Sequence, residues 1–261
     1  MSTLPGFFLP KRKHFGLSIG RMTIRAVEMD GRKVRSAVEV SLPDGIFADG
    51  MLVKREEFVS LLKKLVVQGK FTTEYIAVCF SEIYAFSREY SLPIIPQEEI
   101  SEAISWHVKE LFPFPESEIY YDWKVLETHT QNYDLSVVAV QKKILDPIVA
   151  AIKDAGLKPL SFEPGAAAIA GLLMLKLHEQ AYLVEINRIG AYVTLVEGEK
   201  ALFTTVVPYR VQETVETYLE HIKQTLVEIN AYYQKKGILQ PVKLQIILSG
   251  ELATEEWANR R

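Results

Sequence analysis

The chain repeats itself across a spacing of 167 residues. At that offset Leu17-Ser18-Ile19-Gly20-Arg21 falls on Val184-Glu185-Ile186-Asn187-Arg188, and Gly31 falls on Gly198. Each copy reads as strand, tight turn, strand, glycine turn, strand. Similarity at a fixed spacing is the mark of one folding unit used twice. Two three-strand starts, each followed by helical material, predict two related lobes with a cleft between them.

The first copy predicts strands over 15–20, 22–29 and 34–42, the last two joined by an Asp30-Gly31 hairpin turn. In the second, strands are expected over 182–187, 189–196 and 200–207, with Glu197-Gly198 at the second turn. Between them, Phe58, Leu61, Leu62, Leu65 and Val66 recur at helical spacing, giving a helix over 55–68 with Gly69 as its C-terminal cap. Strands follow over 75–80 and 84–92, then a helix over 97–112 stopped by Pro113 and Pro115. After strands over 120–127 and 135–141, Asp146 and Pro147 read as the cap and first residue of a helix ending at Gly156. A buried strand near Leu160 and an apolar, small-residue helix over 164–177 complete this half. Late in the chain, Val211 to Lys236 forms the longest helical pattern, on the order of 39 Å, ended by Gly237 and followed by a strand over 242–248.

Composition narrows the class. The 261 residues are 48% hydrophobic and 24% charged, as in an ordinary globular chain. Thirty basic against 33 acidic residues give a net charge of -3 and no electrostatic footprint for nucleic acid. Cys79 is the one cysteine, so no internal disulfide forms and a buried, unreactive thiol is expected. The longest uncharged apolar stretch, 164–175, is well short of the roughly 20 residues of a membrane span. The first ten residues carry Pro5, Gly6 and Pro10, with Lys11-Arg12-Lys13 after them, unlike a signal peptide. A cytoplasmic protein with an exposed basic arm is therefore expected.

Dedicated catalytic motifs are missing from the sequence. No glycine-rich phosphate loop of the Walker type, GxSxG elbow or GxGxxG fingerprint occurs. The five histidines, His14, His107, His129, His178 and His221, lack metal-ligand spacing and read as surface or structural residues. Glu56-Glu57 and Glu98-Glu99 sit where helix dipoles favour acids. Phe112 and Phe114 read as packing anchors between lobes. No catalytic residue and no metal site is assigned.

At these residues the sequence resembles the type IV pilus assembly PilM family of the actin-like ATPase superfamily. The family's GxDIGxxxxK/R-x-V-E opening matches Phe15 to Glu28. Its helix ending in a proline-aromatic motif before an extended acidic strand matches Trp106 to Leu111, Phe112-Pro113-Phe114-Pro115 and Glu118 to Trp123. Ala155-Gly156-Leu157-Lys158-Pro159 with Glu163 to Ala168, and Ile229 to Tyr233 with Ile246 to Gly250, are similar as well.

The resemblance implies an α/β, actin-like (ribonuclease H-like) fold of duplicated lobes. It implies an arm at 1–13, a first lobe from 14–50 and 142–178, an inserted α+β subdomain at 51–141, and a reduced second lobe at 179–261. A nucleotide would be held by Gly20, Arg21, Thr23, Arg25, Glu185 and Gly250. The sequence departs from the family at that site. Ser18 replaces the family's first aspartate, Glu185 and Asn187 replace the second Asp-Ile-Gly, Tyr209-Arg210 replace a Gly-Gly, and the adenosine-side glycines shrink to Ser249-Gly250-Glu251. The expectation is a pseudo-ATPase scaffold with no cofactor, ATP and magnesium being the alternative.

The implied partner is a PilN-like bitopic inner-membrane protein. Its cytosolic peptide would bind by strand addition in a groove within 51–141 and its junction. That would recruit the scaffold to the cytoplasmic membrane face, with only indirect membrane contact. Self-association or a pilus motor ATPase are further partners the resemblance allows. Competing readings are a functional actin-like ATPase or small-molecule kinase, and the cytoplasmic domain of a secretion-system protein of the same fold.

Overall fold

The computed structural model describes residues 12–20, 22–48, 50–81, 84–165, 168–169, 179–187, 190–198, 200–210, 213–237, 239, 244–250 and 253. It divides into two compact units, Met1–Gly165 and Ala166–Arg261.

The first unit is built on a five-stranded sheet in the order β10-β6-β1-β2-β3. Its strands are β1 (Phe15–Ile19), β2 (Thr23–Asp30), β3 (Lys33–Ser41), β6 (Tyr75–Phe80) and β10 (Lys158–Pro164). β1, β2 and β3 are antiparallel neighbours, while β6 runs parallel to both β1 and β10. Parallel pairing demands crossovers, and two helices supply them: α1 (Arg55–Gly69) before β6 and α3 (Lys142–Asp154) before β10. A small hairpin, β4 (Phe47–Ala48) and β5 (Met51–Leu52), leads into α1. Alternation along the strands places Phe15, Leu17, Ile19, Ile24, Ala26 and Val40 on the helix side. There they bury Phe58, Leu62 and Leu65 of α1 and Ile144, Ile148, Ala151 and Ile152 of α3.

A second layer of the same unit is a three-stranded antiparallel sheet, ordered β7-β9-β8, with helix α2 (Ile100–Leu111) on one face. Its strands are β7 (Ala85–Pro93), β8 (Ile119–Thr128) and β9 (Asn132–Gln141). Tyr133, Leu135, Val137 and Ala139 of β9 alternate toward α2 and meet Ile100, Ile104 and Val108. Phe112 is buried in this core, and Phe114 sets its ring edge-on to Phe86 at 5.0 Å. The two aromatics expected to join lobes thus serve the inserted layer alone. That layer is also shorter than the expected 51–141: α1 and β6 belong to the first sheet, because β6 is hydrogen-bonded on both sides there.

The second unit carries a four-stranded sheet, β13-β12-β11-β14, formed by β11 (Gln180–Asn187), β12 (Gly190–Glu197), β13 (Lys200–Pro208) and β14 (Gln245–Ser249). Again the first three strands are antiparallel and the last runs parallel to β11. Helix α4 (Val215–Lys235) packs Tyr218, Ile222 and Ile229 against Tyr182, Val184, Ile186 and Val193. Its 21 residues span roughly 32 Å, less than expected, because Thr214 caps the helix by accepting from the Thr217 amide at 3.2 Å.

The repeat is physical down to single residues. β2 and β3 map onto β12 and β13 end to end at the 167-residue offset. Gly31 and Gly198 hold φ of 58° and 55°, the left-handed turn conformation that glycine adopts without strain. A β-bulge falls between Glu28 and Met29 in one copy and between Leu195 and Val196, their counterparts, in the other.

Other expectations shift locally. α1 ends with Lys70, not Gly69, in the left-handed region at φ 46°. Gly69 is needed for space: a Cβ there would lie 2.2 Å from the Phe71 ring, which stacks on Phe15 at 4.0 Å. α3 begins at Lys142 with Pro147 inside it, so Asp146 is no cap; its carboxylate accepts the Tyr120 hydroxyl at 2.9 Å. Leu160 is 47% exposed, because β10 is an edge strand whose register breaks between Pro159 and Ser161. Of the helix expected over 164–177, Gly165, Ala168 and Ile169 are described as helical and most of the rest lies outside the described residues. Ile169 packs against Ala181, Leu183 and Val196, with the second unit rather than the first lobe to which 166–178 were expected to belong.

Glu28 is a buried carboxylate at the first bulge. Burial raises its pKa, but the Thr72 hydroxyl and amide (3.1 Å) and Arg35 (2.6 Å) outweigh that and hold it below the usual carboxylate value. Arg35 is partly exposed and screened, so the Thr72 bonds carry most of the stabilisation. Glu28→Gln is expected to cost about 1.5–3 kcal/mol at pH 7, read by urea unfolding. The depressed carboxyl contributes fully above about pH 4.5, its unfolded value, and loses that contribution as pH falls through the folded value. The gap between wild type and variant should therefore close in acid.

Tyr182, the counterpart of Phe15, buries a hydroxyl with no hydrogen-bond partner among the described residues, and burial pushes its pKa up to about 12. Tyr182→Phe is expected to stabilise the protein by about 1 kcal/mol. Above pH 10 the unfolded phenol ionises first, so the wild type should lose stability faster than the variant as the solution becomes more alkaline. A lower melting temperature for the variant at neutral pH would contradict this assignment.

Candidate functional site

Pairing registers bring the expected nucleotide residues into cross-strand rows. In the first unit Glu163, Cys79, Ser18, Arg25 and Glu39 are successive partners across all five strands, on the face opposite α1 and α3. In the second unit Ser249, Glu185, Tyr192 and Val206 form the equivalent row. Ser18 and Glu185 hold the same place, near the end of the first strand of each copy.

The first turn is closed on itself. The Gly20 amide donates to the Thr23 carbonyl at 3.0 Å, so it is spent inside the turn. A Cβ at Gly20 would stand 3.0 Å from the same oxygen, which explains the glycine without any ligand. Arg21 lies outside the described residues. Thr23 opens β2, and Arg25 is drawn across to Glu39, its guanidinium Nε 2.5 Å from the carboxylate. Both partners are largely exposed, which makes the pair a weak tether.

In the second unit Glu185 is half-buried beside Tyr192 and Ser249. Arg188 and Ile189, which would form its turn, lie outside the described residues, as does Glu251. Gly250, at φ 98°, presses against the β11 backbone: a Cβ would meet the Ile186 carbonyl oxygen at 2.5 Å. Only glycine permits that approach.

Magnesium prefers carboxylate and water oxygens, and a phosphate needs unspent backbone amides. Ser18 offers an uncharged hydroxyl, Arg25 is paired, and the Gly20 amide is used. Among the residues expected to hold the nucleotide, the described ones of the first unit offer no carboxylate to magnesium. Glu185 is the one carboxylate among the residues expected to hold the nucleotide.

The second candidate region is where the inserted layer meets α3. β5 packs on α3; Met51 at its start and Val53 just after it are 43% and 54% exposed. From the other layer, Tyr120 of β8 bonds to Asp146, and the Lys142 ammonium stands 5.2 Å from the Tyr120 ring centroid. Lys142 Nζ also donates to the Ser117 carbonyl at 2.7 Å. These contacts pin the layer to the start of α3 while leaving half of Tyr120 exposed. None of these contacts follows from residue spacing, since Tyr120 and Asp146 meet only once β8 and α3 are in place.

Spacing also missed a grouping at the β8–β9 hairpin. Glu127 and Asp134 are cross-strand partners, and His129 Nε2 lies 3.8 Å from Glu127 Oε2 and 2.9 Å from Asp134 Oδ2. One ligand atom from each falls within 4.8 Å of the others. The group is solvent-accessible, with the imidazole set between two facing carboxylates. Among the described residues no helix is long and apolar enough to cross a membrane.

No curated protein matches the chain by sequence. Among solved structures, one titled the PilM-PilN type IV pilus biogenesis complex matches at TM-score 0.74 and 18% identity, covering 96% of this chain and 84% of that one. The cytoplasmic domain of EpsL, an inner-membrane component of the type II secretion system of Vibrio cholerae, matches at 0.52 and 12%, covering 92% and 83%. The ethanolamine utilization protein EutJ of Carboxydothermus hydrogenoformans matches at 0.50 and 13%, covering 96% and 82%. The fold is thus actin-like. The profile of the type IV pilus assembly protein PilM matches residues 16–204. Carrying the duplicated three-strand core and the inserted layer within or beside that span, the chain belongs to the type IV pilus assembly protein PilM family.

Proposed function

We propose that this member of a pilus-assembly family is a scaffold that captures the short cytosolic tail of a PilN-like bitopic membrane protein and does not hydrolyse ATP. The likeness to one chain of a PilM-PilN complex carries the reading. The exposed apolar side chains around α3 support it: Met51, Val53 and Tyr120 offer pockets to an extended peptide, and β7 and β8 are edge strands with backbone groups to pair. Capture of such a tail would hold the protein at the cytoplasmic face of the inner membrane. Ser18 in place of a carboxylate, the spent Gly20 amide and the Arg25–Glu39 pair support the absence of hydrolysis.

A synthetic PilN-like tail is expected to bind the full chain in calorimetry, and Tyr120→Ala to weaken it roughly tenfold, the cost of one buried aromatic anchor. Equal binding by wild type and variant would argue against this junction. Mg-ATP titrated into the same protein is expected to give no saturable heat at micromolar concentration. Saturable binding followed by phosphate release would favour an actin-like ATPase instead.

A further inference from the structure

Helix α2 turns its apolar side to the inserted sheet, so its outward side should be wholly polar. It is not. Ile100, Ile104 and Val108 are buried, whereas Glu102, Trp106, Lys109 and Glu110 form the opposite stripe and are exposed. Trp106 is 71% exposed, the most of any aromatic among the described residues' large exposed hydrophobics. Glu102 and Glu110 stand one helical turn before and after it. Glu99, seven residues earlier, continues the stripe, and Glu98 is exposed beside it. Four carboxylates, of which Glu110 lies 3.1 Å from His107 Nδ1, and the Lys109 ammonium therefore share the stripe with a largely exposed indole.

We infer that this stripe is a docking surface for a lysine- and arginine-rich peptide segment, with one cation of that segment seated on the Trp106 ring. Charge complementarity selects the occupant. An indole face attracts cations more strongly than other aromatic faces do, and flanking carboxylates supply the pairs that fix direction. An anionic membrane surface or an acidic partner would be repelled by the same carboxylates. The inference rests on the tail-capture reading for its source of such a segment. Cytosolic residues next to a membrane span are enriched in lysine and arginine, so a captured tail presents its basic part just beyond its docked part. Trp123 of the edge strand β8 donates its Nε1 to Ser101 Oγ of α2 at 3.2 Å, so α2 lies on the face of the sheet opposite Tyr120, and a peptide docked at Tyr120 passes around the β8 edge to reach it.

The test uses the full chain and two probes in fluorescence anisotropy. The first is a synthetic peptide of Lys-Arg-Lys-Leu repeats, with a Glu-for-Lys/Arg version as control. The second is the PilN-like tail with and without its membrane-proximal basic residues. The basic peptide should bind the wild type, the acidic control should not, and Trp106→Ala should weaken binding five- to tenfold. Glu99→Gln with Glu102→Gln should weaken it and flatten its salt dependence. Trp106 is solvent-exposed, so unchanged circular dichroism and melting should accompany these losses. Equal binding to wild type and Trp106→Ala would overturn the inference. So would Trp106-dependent binding to phosphatidylglycerol vesicles, or Trp106-dependent self-association without peptide. If the tail fails to bind while the basic peptide still distinguishes Trp106→Ala, tail capture is wrong and the acidic stripe stands. If the tail binds equally with and without its basic residues, and equally to Trp106→Ala, the stripe is wrong and tail capture stands.

Discussion

The register of two hairpins governs everything else in this molecule. In each copy a left-handed glycine, Gly31 or Gly198, reverses the chain, and a bulge two or three residues before it inserts one extra residue. Together they fix which residues face the helices. A slip of one residue would turn Leu17, Ile24 and Ala26 out of the core and Ser18 and Arg25 into it. The same geometry places Ser18 and Glu185 at matching points of two sheets, so the nucleotide question reduces to what those two positions carry.

What they carry is unequal. Ser18 is itself uncharged, and its cross-strand partner Arg25 is tied to Glu39. Glu185 keeps a carboxylate but pairs with the bulky Tyr192 and with Ser249. Phosphate binding by backbone needs amides that the turn itself does not use, and Gly20 has already given its amide to Thr23. The glycines that survive, Gly20 and Gly250, are each explained by close backbone approach. A glycine at either position is therefore no sign by itself that phosphate binds there.

The repeat, the strand order within each hairpin and the helix periodicities were legible in the sequence because they depend on neighbours within about ten residues. Most of the failures required partners distant in the chain. Gly69 looked like a cap but makes room for Phe71 against Phe15. Asp146-Pro147 had the composition of a helix start. The helix instead begins four residues before Asp146, where β9 ends, and Asp146 is drawn to Tyr120. The inserted layer begins later than residue 51 for a related reason. Parallel pairing of β6 with β1 joins residues some 60 apart, and no local pattern announces it. For the candidate sites, motif positions located Ser18 and Glu185, but the pairing that ties up Arg25 and the exposure of Trp106 are properties of the folded surface.

The two copies also show how one backbone tolerates different interiors. At the bulge, Glu28 buries a carboxylate satisfied by Thr72 and Arg35, whereas its counterpart Leu195 buries hydrocarbon. At the first strand, Phe15 stacks on Phe71, whereas Tyr182 hides a hydroxyl without a partner among the described residues. Each copy thus has one polar group in a place where the other is apolar, and only one of the two is satisfied. The backbone register is common to both because it is set by the glycine turn and the bulge. The side chains on either face differ between the copies without altering that register.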